Sequence, residues 1–354
     1  MYKRLDEEFY FMPKSKIKAG EGIDNGQYPF FTSSDIKVST LNEYLFDDEL
    51  IILGTGGKPS CNYFNGKFAV STDNFVLKSK GNILTKYLYY YLRKNNMEIL
   101  EQGFHGAGLK HIGKDYISQL SIPFVNIDLQ NEIISVLDKL NNVIELNKKE
   151  LELLDEAIKS RFIEMFGDPI ENNYNFPKGI IGDYIVDVRY GTSKPAKDGG
   201  NYQYLRMNNL TYDGYLDYEN VKYIDATDED IDKYGIKYGD VLFNRTNSID
   251  LIGKTAVYLE NEIKIVAGYI IRVRFNECIN PIYFTRYMNL PSTKKILREM
   301  AKGAVNQANI NAQELKGISL IAPPMPLQDE FASFVEQIDK LKFIDMLCTI
   351  DNTF

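Results

Sequence analysis

The 354-residue sequence is poor in cysteine and histidine, with Cys61, Cys278 and Cys348 against His105 and His111. The cysteines are scattered and form neither a Cys-x-x-Cys pair nor an even framework. That excludes a secreted disulfide scaffold and fits reduced thiols in the cytoplasm. No cysteine lies near either histidine in sequence, so no zinc site is expected, nor any other metal or cofactor. Apolar runs are short, well under the ~20 residues of a membrane span, so no membrane association is expected. The first ten residues carry Lys3, Arg4, Asp6, Glu7 and Glu8, which does not read as a signal peptide.

Net positive charge is also missing. A total of -8 argues against a nucleic-acid binder at first sight, because phosphate contacts need Lys and Arg. Its distribution weakens that objection. Residues 1–125 carry +1 and residues 167–325 carry -1, whereas residues 126–166 and 326–354 carry -4 each. The acidity sits largely in two segments that read as helices. The near-neutral blocks remain free to present a basic face. What is abundant is hydrophobic and aromatic: 44% apolar residues, 25 Tyr and 20 Phe. A chain of this length and composition folds as two or three globular domains.

Internal repetition is the strongest signal. Gly26-Gln27-Tyr28-Pro29-Phe30-Phe31 matches Gly200-Asn201-Tyr202-Gln203-Tyr204-Leu205. Glu49-Leu50-Ile51-Ile52-Leu53-Gly54-Thr55 matches Asp240-Val241-Leu242-Phe243-Asn244-Arg245-Thr246. Residues 87–92 lie opposite 283–288, and residues 112–132 lie opposite 310–330 without a gap. Both copies end in an apolar strand, a proline and a Leu-Gln pair, Leu129-Gln130 and Leu327-Gln328. Short strands are expected at 51–53, 68–70, 75–77, 241–243, 256–258 and 270–273, and helices at 84–92 and 282–288. The expected fold class is therefore α+β: two pseudo-repeated modules with many loops.

From residue 126 to 166 neither glycine nor proline interrupts the chain. Ile133, Leu137, Leu140, Ile144, Leu151, Leu154 and Ile158 follow a heptad, with Asn147 and Arg161 as its polar members. Asp128 is placed to cap the start and Gly167 to end the helix. At 1.5 Å per residue, some 35 residues span on the order of 50 Å. Phe331, Phe334, Ile338 and Leu341 repeat the step pattern near the C-terminus. A lone heptad helix leaves its seam exposed, so two long helices pairing antiparallel as a coiled coil within one chain are expected. The division is then 1–125, first module; 126–166, central helix; 167–325, second module; 326–354, C-terminal helix.

Two loop-rich modules alternating with two helices, each helix preceded by an apolar strand, proline and Leu-Gln, resemble the specificity subunit of Type I restriction–modification systems. The similarity rests on Ile122-Pro123 through Gln130, on residues 133–140 and 151–166 with Gly167-Asp168, on Ala322-Pro323-Pro324-Met325-Pro326-Leu327-Gln328, and on residues 239–246. The resemblance implies that each module is a target recognition domain reading one half of a split site in double-stranded DNA. It also implies that the helices set the gap between the halves and dock two methyltransferase (modification) subunits, and with them restriction subunits. One departure stands out: from Pro326 the last helix has 29 residues, against 41 from Asn126.

Matched loops that differ in chemistry supply the candidate DNA contacts. In the first module these are Thr32, Ser33, Ser34, Thr55, Lys58, Lys110 and His111. In the second they are Arg206, Asn208, Asn209, Arg245, Thr246, Asn247, Lys254, Asn306 and Gln307. Arg suits guanine, and Asn or Gln suits adenine. Lys58, Lys110, Arg245 and Lys254 suit phosphates. Asn, Ser, Thr and Gly also favour loops for turn chemistry alone. Catalytic signals are weak. Gly253-Lys254-Thr255 lacks the earlier glycine of a phosphate loop, Ser248 standing there. Asp250 with Glu262 and Lys264 has the outline of a metal-dependent nuclease site, a short pattern common by chance. A non-catalytic chain is expected, with a nuclease or a protein-interaction scaffold as the alternatives.

Overall fold

The computed structural model describes residues 1–34, 38–95, 97–301 and 308–351; the side chains of 94, 95 and 345–351 lie outside the description. The chain divides into two compact units, Met1–Glu145 and Leu146–Phe354. Both mix helix and strand.

The first unit is built on a six-stranded sheet. Its order is Phe9–Phe11, Asn74–Ser79, Phe46–Gly54, Ser60–Val70, Tyr28–Phe31 and Ser39–Leu41. All neighbours are antiparallel except Tyr28–Phe31 and Ser60–Val70, where Phe30 lies beside Ala69. Alternation along the Phe46–Gly54 strand sends successive side chains to opposite faces. Ile51 and Leu53 pack with Leu88 and Leu92 of the helix Thr85–Asn95, while Leu50 and Ile52 pack with Phe68 and Val70 on the other side. The β-branched and aromatic runs expected at 51–53, 68–70 and 75–77 lie inside these strands.

The second unit holds two four-stranded sheets. One runs Ile185–Tyr190, Ile270–Phe275, Val241–Asn244 and Thr255–Val257, all antiparallel. The other runs Lys222–Ile224, Tyr202–Leu205, Lys264–Val266 and Gly235–Ile236. In it Tyr202–Leu205 and Lys264–Val266 are parallel. Again the central strand feeds two cores: Val241 and Phe243 pack among Ile271, Tyr283 and Phe284, and Leu242 packs among Leu205, Ala256 and Tyr258.

The central helix covers Ile127–Phe166, 40 residues. Its cap differs from expectation. The Asn126 Oδ1 accepts the Leu129 N–H at 2.8 Å, and Asp128 instead lies in the first turn, where its charge complements the exposed N–H groups. The helix ends at Gly167 in a left-handed conformation (φ 70°), with its N–H on the Ile163 carbonyl. In the first unit Ile133 packs on the core beside the strands. In the second, Leu154, Ile158, Phe162 and Phe166 join Phe331, Phe334 and Ile338 of the C-terminal helix Met325–Asp351. Phe162 and Phe331 meet edge to face at 5.3 Å. Arg161 pairs with Glu330, and Lys342 with Asp155. Leu137, Leu140, Ile144 and Leu151 are half-buried, and Leu341 is half exposed.

Each Leu-Gln pair turns out to matter through its glutamine. Gln130 is fully buried; its Oε1 accepts the Leu84 N–H, and its Nε2 donates to the carbonyls of Asn82 and Val125. Gln328, also fully buried, accepts the Asn280 N–H at 2.9 Å and donates to the carbonyls of Cys278 and Pro323. One carboxamide thus ties the first turn of a long helix to the segment that opens a short one. Leucine at 328 would remove the side-chain partner of three backbone groups. We expect Gln328→Leu to lower stability by roughly 2–4 kcal/mol in denaturant titration.

A second buried group makes folding pH-dependent. Lys294, on the helix Pro291–Met300, is 2% exposed and donates to the Gly253 carbonyl at 2.6 Å. Burial, with Arg298 and Lys254 nearby, lowers its ammonium to about 7. The unfolded chain keeps that proton to about pH 10.4 and the folded chain releases it near 7, so between these values the unfolded state binds more protons. Stability should therefore rise with pH from about 7 to 9.5, by at most about 1.4 kcal/mol per pH unit. The slope should flatten in Lys294→Met, measured as melting temperature against pH.

Candidate nucleic-acid interface

In the first unit the candidate loops converge at one end of the sheet. The N–H of Thr55 and the hydroxyl of Ser33 both donate to the carbonyl of Asp73, in the turn between the strands Ser60–Val70 and Asn74–Ser79. Residues 54–58 are in turn laced to the 105–111 hairpin. Ile112 N–H reaches the Thr55 carbonyl, Gly57 N–H reaches the Lys110 carbonyl, and His111 Nδ1 lies 3.2 Å from the Thr55 carbonyl. Gly54 permits the closure, since a Cβ there would stand 3.0 Å from the Ser33 Cα and 2.1 Å from the Ser60 hydroxyl. Lys58, Lys110 and His111 face solvent, while Thr32, Ser33 and Ser34 are half-buried.

The second unit assembles its candidates around the turn at Gly268-Tyr269. The Tyr269 carbonyl accepts from the Arg245 N–H at 3.0 Å and from the Asn244 Nδ2 at 3.2 Å. Asn244, fully buried, also donates to the Thr246 carbonyl and accepts from the Asn247 side chain. Ile310 N–H returns to the Arg245 carbonyl, which fixes the strand Ala308–Asn309 beside Thr246–Asn247. The Arg245 guanidinium lies 4.9 Å over the ring of Tyr190. Beside this turn opens a cleft of about 560 Å³, whose walls include Lys194, Tyr204, Arg206, Asn208 and Tyr269. Asn306 and Gln307 lie outside the described residues.

Several expected contact residues serve the loop framework instead. Thr55 and Thr246 are buried, the latter with its hydroxyl on the Asn309 side chain. Asn209 is 2% exposed; its Oδ1 accepts the Arg206 N–H, and its Nδ2 donates to the Asp217 carbonyl. The Asn209 carboxamide satisfies turn backbone before it could reach outward, as short polar side chains beside turns do. Lys254 is half-buried, its ammonium turned toward the Met207 carbonyl at 3.4 Å and lowered in pKa by that burial. Arg206 donates to the Asn220 carbonyl and Asn208 is exposed. Sequence reasoning passed over Asp73, Lys194 and Tyr269, and met Asn244 only as the first residue of the loop 244–247. A Thr-Asp-Asn turn and a Gly-Tyr turn between strands were the available signals.

The nuclease outline does not assemble around a metal. Lys264 is buried and holds Glu260 at 2.6 Å, with Glu262 at 3.6 Å, while Asp250 sits in an exposed turn. Among the described residues no group of three or more His, Cys, Asp or Glu is placed to hold an ion. Among them, too, no helix is long and apolar enough to cross a membrane.

Comparison with known proteins agrees over both units. The family model described as "Type I restriction modification DNA specificity domain" matches residues 2–156 and 185–347. The MjaVIII specificity subunit of Methanocaldococcus jannaschii is 22% identical over 93% of this chain and 83% of its own. The EcoDI specificity subunit of Escherichia coli is 31% identical over 43% of this chain and 34% of its own. Several curated relatives are matched over only 34% to 53% of their length. The solved structure of the S subunit of a Type I restriction-modification system from M. genitalium aligns with a TM-score of 0.62 at 15% identity, covering 100% of this chain and 92% of that one, which shows a shared fold. With its two matched stretches covering most of the sequence, the chain belongs to the Type I restriction–modification DNA specificity family.

Proposed function

We propose that the chain is the non-catalytic, sequence-reading subunit of a cytoplasmic Type I restriction–modification complex. Residues 1–125 and 167–325 are two copies of one target recognition domain, each reading one half of a bipartite site in double-stranded DNA. The observation that carries this is the pair of loop networks: each closes two donors on one turn carbonyl, that of Asp73 or Tyr269, yet they differ in their side chains. Turn carbonyls that anchor candidate loops in both units, with unlike side chains around them, suit two readers of unlike sequences. In this reading Lys58, Lys110 and Arg245 supply phosphate contacts, while Arg206, Asn208 and Ser33 are assigned to base edges by their side-chain chemistry.

The helices 126–166 and 326–354 form the spacer, paired antiparallel. Support comes from Arg161 with Glu330 and Asp155 with Lys342, whose partners run in opposite order along the two helices. Ile133, Leu137, Leu140, Ile144, Leu151, Leu154, Ile158, Phe331, Phe334, Ile338 and Leu341 make up the pairing and docking face for two methyltransferase subunits, which in turn recruit restriction subunits. A split site needs two readers at a fixed separation, and a stiff helix supplies it.

Two experiments test the proposal. Reconstituted with its methyltransferase subunits, the chain should enrich a bipartite motif from a random-sequence duplex library, and absence of enrichment overturns it. Arg245→Ala should weaken binding to the enriched site by roughly tenfold in a gel shift, with about one unit less salt slope, because one phosphate contact is lost. Unchanged affinity and slope would remove Arg245 from the interface.

A further inference from the structure

We infer that the turn residues Tyr269 and Asp73 are specificity determinants, each reading a base in one half of the site; this rests on the DNA-reading function proposed above. In both units one turn carbonyl accepts two hydrogen bonds from segments that carry candidate contacts. The Asp73 carbonyl takes Thr55 N–H and the Ser33 hydroxyl, and the Tyr269 carbonyl takes Arg245 N–H and Asn244 Nδ2. With both lone pairs of that oxygen engaged, the Asp73 turn is held by two segments, at Ser33 and Thr55, and the Tyr269 turn by two donors from the adjacent residues Asn244 and Arg245.

The side chains on these fixed backbones are directed outward. Asp73 is exposed, and the Tyr269 ring is 52% exposed on the wall of the cleft that also holds Lys194, Arg206 and Asn208. An aromatic side chain with few rotatable bonds on a locked backbone loses little entropy when it makes a contact. Its position beside Arg206 and Asn208 sets it among groups suited to purine edges.

The two residues would select different chemistry. The Asp73 carboxylate only accepts hydrogen bonds, which fits an exposed cytosine amino group in the major groove. Tyr269 offers an apolar ring face with a hydroxyl at its tip, which fits a thymine methyl beside a base-edge acceptor. Each residue would thus define a single base position and leave the remaining positions to the neighbouring loops.

The test uses the chain assembled with its methyltransferase subunits and a randomised duplex library, with wild type, Tyr269→Ala and Asp73→Asn in parallel. Tyr269→Ala should lose roughly tenfold preference at one position in one half-site, with the other half retained. Asp73→Asn should do the same in the opposite half. If Tyr269→Ala fails to assemble, the isosteric Asp73→Asn decides. A bipartite motif with every position retained in the variants overturns this inference and leaves DNA reading intact. Uniform weakening across both halves also overturns it, assigning the turns a purely structural part. A wild-type complex that enriches no bipartite motif overturns the reading on which it rests.

Discussion

A single buried carboxamide holds each long helix to its module. Gln130 and Gln328 each satisfy one backbone N–H and two backbone carbonyls, and in both cases those groups belong to the segment that starts a short helix and to the residue or two before the long one. Apolar packing alone would allow a helix to slide or roll, because hydrophobic contact is non-directional. Three hydrogen bonds to a fully buried carboxamide resist that, since displacement leaves the buried amide without its partners. The angle at which each helix leaves its module is therefore defined at its first turn.

Farther along, each unit adds its own polar contacts to the helix. In the first unit Lys86 and Tyr90 converge on Asp138, with Asn141 on the Tyr90 hydroxyl. In the second, Tyr215 reaches Asp155 and Asp339, and the Arg286 guanidinium covers the Tyr215 ring at 4.4 Å. The Tyr215 hydroxyl, buried and facing two carboxylates, is held far from ionisation. Its proton is donated toward these carboxylates. These contacts fix the rotation of the helix, as the glutamines fix its departure.

Much of this was legible in the sequence because periodicity reports burial. Short unbroken apolar runs at 51–53 and 241–243 marked strands, which prove to be buried on both faces, and the heptad of 133–158 marked the central helix. The Leu-Gln pairs were visible as a repeated motif, but their role was not. Glutamine is mostly a surface residue, and only the fold places its amide against three particular backbone groups. The loop residues were harder still. Thr55, Asn209 and Thr246 have the same residue types as the proposed contact groups, and what separates them from Ser33 or Asn208 is a difference in enclosure set by long-range pairing. Asp73 and Tyr269 were missed because nothing local to either turn reveals which distant loop closes on its carbonyl.

That closure separates two properties which usually trade against each other. The turns at 73 and 269 are held through main-chain oxygen atoms, and a main-chain atom is indifferent to the side chain it carries. Exposed substitutions away from caps and cores usually shift stability by no more than about 0.5 kcal/mol. Replacement at these two positions thus leaves the framework's stability nearly untouched while altering what it presents to a ligand. Under the proposed DNA-reading function, turns held in this way let the preference of one half-site change with the fold intact and the other half unaltered.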